Sequence, residues 1–64
     1  MNNIVVKDYP KNLVKKYKRI LLTELKNGRE LDAWEFAEEE KIEIGLSLIC
    51  FDELINEGIV EKVE

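Results

Sequence analysis

Sixty-four residues, 45% apolar and 38% charged, suffice for one small globular domain, and no apolar run approaches the roughly 18 residues that a membrane-spanning helix needs. With no histidine and a single cysteine, Cys50, the chain can form neither an intramolecular disulfide nor the usual zinc constellations, so no metal and no other cofactor is expected. The net charge of −4 conceals a division: residues 1–29 hold eight basic groups against two acids, and residues 30–64 hold two lysines against twelve acids.

The N-terminal residues Met1 to Asp8 lack a basic segment followed by a long apolar one, so no secretory signal is read and a cytoplasmic setting is expected. The β-branched run Ile4-Val5-Val6 predicts a strand at about 4–7, and Asp8-Tyr9-Pro10 then opens a helix over about 10–26. At 100° per residue, Leu13, Val14, Tyr17, Ile20, Leu21 and Leu25 share one face of this helix, which is read as core. Lys11, Lys15, Lys18, Arg19 and Lys26 fall on the other side with Leu22 among them, and Glu24 intrudes on the apolar stripe without an evident reason.

Asn27-Gly28 ends this helix, since both residues tolerate the left-handed backbone of a C-terminal cap. Asp32 and Glu35 have capping-box spacing, which predicts a second helix over about 32–40, with Ala33, Trp34, Phe36 and Ala37 as its apolar set. Trp34 and Tyr17 are read as core or core rim. The run Glu38-Glu39-Glu40 places acids at a helix end where the backbone dipole disfavours them. A third helix is expected over about 43–57, stopped by Gly58, followed by a strand over 59–63. With Phe51 at the centre of the buried arc, Ile44, Ser47, Leu48, Leu54 and Ile55 turn inward, and Leu46 and Ile49 turn outward.

Three packing signatures in this order carry a family likeness. They are Ile20-Leu21-Leu22 with Leu25 and Gly28, Phe36-Ala37 with Ile42, and Leu54-Ile55-Asn56-Glu57-Gly58-Ile59-Val60. From Ile20 to Val63 the chain resembles a winged helix-turn-helix domain. The resemblance implies a mainly α, three-helix fold within a single domain over 1–64, and DNA binding in transcription regulation as the family's usual activity. Two departures bear on that activity. The family's wing is a hairpin, and no residues follow Glu64 here to form its second strand, so a winged-helix-like domain without a wing is expected, with the strand at 4–7 pairing the one at 59–63. In addition, a DNA-reading third helix carries cations and amides, whereas this one is expected to project Leu46, Ile49, Asp52, Glu53 and Asn56.

These readings lead to a non-enzymatic regulatory or adaptor protein acting by protein–protein contact or self-association. Its expected interface is the outward face of the third helix, comprising Leu46, Ile49, Cys50, Asp52, Glu53 and Asn56. The alternative is a DNA-binding transcription regulator, in which Lys11, Lys15, Lys18, Arg19 and Lys26 would follow a phosphate backbone. Acidic residues on the third helix disfavour nucleic acid. No membrane or small-molecule partner is expected, and catalysis lacks support: there is no histidine, no base for Cys50, and Gly28, Gly45 and Gly58 are too dispersed to cradle a phosphate.

Overall fold

The computed structural model describes residues 8–61, which form three α-helices: α1 over Lys11–Lys26, α2 over Ala33–Glu40 and α3 over Ile44–Asn56. Each boundary has a local cause. Pro10 opens α1, its carbonyl accepting from the amides of Leu13 and Val14 at 3.0 and 3.1 Å. Gly28, at φ 89°, closes the helix: its N–H donates to the Leu25 carbonyl and the Arg29 N–H to the Glu24 carbonyl, the paired bonds of a Schellman turn. Asp32 caps α2 by accepting the Glu35 N–H at 2.8 Å. Lys41, at φ 56°, takes the left-handed conformation at the end of α2 and directs Ile42 back to the core. Gly58, at φ 74°, ends α3 as Gly28 ends α1.

Helix α3 is the centre of the packing, with α1 on one flank and α2 on another. The core comprises Val14 and Leu21 from α1, Phe36 from α2, and Leu46, Cys50 and Leu54 from α3. Phe36 meets Phe51 edge to face, with ring centroids 6.2 Å apart. The expected inner face of α1 is observed, since Leu13, Tyr17, Ile20 and Leu25 all pack against this cluster, and Leu22, expected on the cationic side, packs against it as well. No helix among the described residues is long and apolar enough to cross a membrane.

Three expectations are corrected. Residues 59–61 form a bend and irregular backbone, and there is no strand among the described residues; 4–7 and 62–63 lie outside them. Trp34 is 70% exposed, because it projects roughly 200° around the short α2 from Phe36, which takes the buried face. The face of α3 is also different: Leu46 and Cys50, expected outside, are buried, whereas Leu48 and Ile55, expected inside, are 52% and 36% exposed. The buried arc is centred near Cys50, about one residue step (~100°) from Phe51.

Side-chain size fits that rotation. Ser47 and Cys50, both small and without solvent exposure, each reach a backbone carbonyl of a neighbouring helix. The Ser47 hydroxyl donates to the Ala33 carbonyl at 2.7 Å, and Cys50 Sγ lies 3.8 Å from the Val14 carbonyl as a weak donor. One contact joins α3 to α2 and the other joins it to α1. Large side chains at these two positions would hold the helices apart.

This register gives a direct stability contrast. Leu46→Ala is expected to cost about 2–5 kcal/mol, and Leu48→Ala about 1 kcal/mol or less, measured by urea unfolding. Equal losses would contradict the observed face.

Candidate functional site

The outer side of α3 presents Leu48 and Ile55 seven residues apart, about 10.5 Å along the helix axis, with Asp52 between them. Asn56 shares this side, its amide donating to Asp52 Oδ2 at 3.4 Å. Beside it runs an open groove of about 920 Å³. Its apolar lining comes from Leu48, Phe51 and Ile55 of α3, with Leu25, Leu31 and Val60 from the ends of the neighbouring segments. Around this floor stand Glu30, Asp32, Glu35, Asp52 and Glu61.

The six residues expected to form the interface separate in the structure. Asp52 and Asn56 lie on the accessible outer side. Leu46 and Cys50 belong to the core, and a partner could not reach them without opening the domain. Ile49 and Glu53 occupy the seam with α1, half-buried, in a smaller groove of about 400 Å³ shared with Val14, Lys11, Lys15 and Lys18. The apolar residues of α3 that do face solvent, Leu48 and Ile55, are ones that hydropathy places inward. The pairing of Ser47 with Cys50, three residues apart on one side of α3, is a sequence signal that could have found them.

The basic stripe of α1 is continuous in position but divided in charge. Lys11, Lys15, Arg19 and Lys26 are exposed and make no ion pair with another described residue. Lys18, in the middle, donates to Glu57 Oε2 at 2.7 Å and Glu53 Oε1 at 3.0 Å, and these two carboxylates raise its pKa above the ordinary lysine value. The attraction between basic and acidic halves is thus partly internal, tying α1 to the C-terminal turn of α3.

A second clamp accounts for Glu24. Arg29 Nη1 donates to Glu24 Oε2 at 3.3 Å and Glu39 Oε1 at 2.8 Å, while Nη2 donates to Glu39 Oε2 at 2.6 Å. The guanidinium therefore joins the end of α1 to the end of α2, with a bidentate grip on Glu39. This contact gives one of the three acids at the α2 terminus a partner that offsets its unfavourable place in the helix dipole. Hydrogen bonding to Arg29 holds the Glu39 carboxyl below its usual range.

Burial, reinforced by the Glu53 charge, pushes the Cys50 thiol up to about 11, which suits a packing residue rather than a nucleophile. Among the described residues no group of three or more histidine, cysteine, aspartate or glutamate side chains could hold a metal ion. Comparison with protein-family models, with curated proteins and with solved structures returns no match to this chain.

Two measurements check these environments. Cys50 is expected to resist a thiol reagent in mildly alkaline native buffer and to react once urea unfolds the chain; rapid native labelling would contradict its burial. Because the folded-state pKa of Glu39 is depressed, its clamp stabilises the fold above the ordinary glutamate range and loses that contribution as pH falls through the folded value. Arg29→Gln is therefore expected to lower the melting temperature at neutral pH and to leave a smaller further drop on acidification than the wild type shows.

Proposed function

We propose that this chain is a small non-enzymatic regulatory or adaptor protein, winged-helix-like in topology, that works by protein–protein contact through the outer side of α3. The observation that carries this reading is the exposure of Leu48 and Ile55 beside an apolar groove on a helix otherwise well packed. An apolar patch rimmed by charge has the anatomy of a protein interface. The order of the three helices and the Schellman turns ending α1 and α3 support the helix-turn-helix likeness. A cytoplasmic location belongs to the same proposal and is supported by the lone, buried thiol.

The outer side of α3 is poorly suited to nucleic acid. It carries Asp52 and two large apolar residues, and its approach to a duplex would set a carboxylate against phosphates. Specific readout through α3 would need hydrogen-bond donors there, and Asn56 is the one amide on that side. The exposed cations of α1 favour at most sequence-indifferent, salt-sensitive contact.

Wild type and the Leu48→Asp/Ile55→Asp double variant, used side by side as bait in host lysate, test the proposal. The variant is expected to keep the wild-type melting profile to within a few degrees and to lose the partners that the wild type retains. Random duplex DNA at low salt is expected to give no complex tighter than about 1 µM. Identical partners for both baits would refute the α3 surface. Tight DNA binding abolished by charge reversal of Lys11, Lys15 and Arg19 would establish the rival function.

A further inference from the structure

We infer that the groove beside α3 receives a cationic amphipathic helix from another protein. This inference rests on the proposed use of the α3 surface and adds the chemistry of the occupant. The floor is apolar, with Leu48, Phe51 and Ile55 spanning about two helical turns and Leu31 and Val60 also lining it. The carboxylates of Glu30, Asp32, Glu35, Asp52 and Glu61 surround it. Arg29 is the one cation among the lining residues, and its guanidinium is already held by Glu24 and Glu39. An occupant that covers the floor therefore brings apolar anchors into a ring of anions, and lysine or arginine on its flanks would complement that ring.

Helical form follows from the shape of the receiving surface. Three of its apolar side chains lie along about two turns of one helix, and no strand among the described residues lies beside it to be extended by an added strand. An apolar stripe laid along such a groove, with anchors at i, i+4 and i+7, is the helix-in-groove mode of recognition. A second copy of this chain is a poor source of that helix. Its cationic helix, α1, has Leu13, Val14, Tyr17, Ile20, Leu21 and Leu25 committed to its own core, leaving lysines and Arg19 outside. The occupant is thus assigned to a different protein.

Three synthetic peptides of about 14 residues, roughly four helical turns, provide the test: one with leucines at helical spacing among lysines, one with the same leucines among glutamates, and a lysine–leucine scramble without an apolar face. Amide shift mapping of the intact chain is expected to show saturable binding of the first peptide, with shifts at Leu31, Leu48, Asp52 and Ile55. Its affinity should fall by at least about tenfold between about 50 and about 300 mM salt. Asp52→Lys with Glu35→Lys should weaken it by about tenfold and admit the glutamate peptide. Equal binding of the scramble, or shifts confined to other surfaces, would overturn the inference. Preference of the wild-type groove for the glutamate peptide would overturn the cationic assignment while leaving the α3 surface in place. Failure of all three peptides to shift these residues would also overturn the inference, and the lysate comparison of the Leu48→Asp/Ile55→Asp variant then decides the broader reading separately. A concentration-dependent dimer lost in that variant would assign the groove to a second copy and overturn the inference.

Discussion

Everything in this domain depends on how closely α3 can approach its two neighbours. Ser47 and Cys50 have no solvent exposure, and their small side chains let the backbone of α3 lie against α2 through Ala33 and against α1 through Val14. A polar hydroxyl in so small a core is tolerable because the Ala33 carbonyl accepts its proton; without that acceptor its burial would be unfavourable. Once these contacts set the rotation of α3, the direction of every other side chain on the helix follows. Leu46 and Leu54 enter the core, Glu53 reaches Lys18, and Leu48 and Ile55 are left in water.

Charge has a different part in the fold. Two clusters join different elements: Lys18 bridges α1 to α3, and Arg29 bridges the ends of α1 and α2. Both lie near solvent, where an ion pair contributes little stability, so their main consequence is electrostatic geography. They neutralise the middle of the basic stripe and the cation bordering the groove. Lys11, Lys15, Arg19 and Lys26 of α1 make no ion pair with another described residue, while Glu30, Asp32, Glu35, Asp52 and Glu61 line the groove with its apolar floor. The surface nearest to α3's exposed leucine and isoleucine is consequently the acidic one.

The proposed interface rests on the composition of α3 more than on the individual positions first expected to form it. That helix holds Ile44, Leu46, Leu48, Ile49, Phe51, Leu54 and Ile55, too many large apolar residues for one face of a thirteen-residue helix to bury. Whichever rotation it adopted, some would remain outside. The identity of the exposed pair, and the acidic surroundings that it inherits, came from packing.

Local chemistry made much of the fold legible in the amino-acid sequence. The apolar stripe of α1, the glycines that close α1 and α3, and the Asp32 cap each depend on residues a few positions apart, and each is found in the structure. Trp34 and Glu24 were not legible: the first is exposed because Phe36 takes the buried side of a two-turn helix, and the second is drawn to Arg29, itself oriented by Glu39. The face of α3 was decided by tertiary structure alone. Hydropathy reports which residues avoid water, and on a helix apolar nearly all round it assigns no unique inner side. Close packing chose that side by size, because backbones approach where serine and cysteine leave room for them.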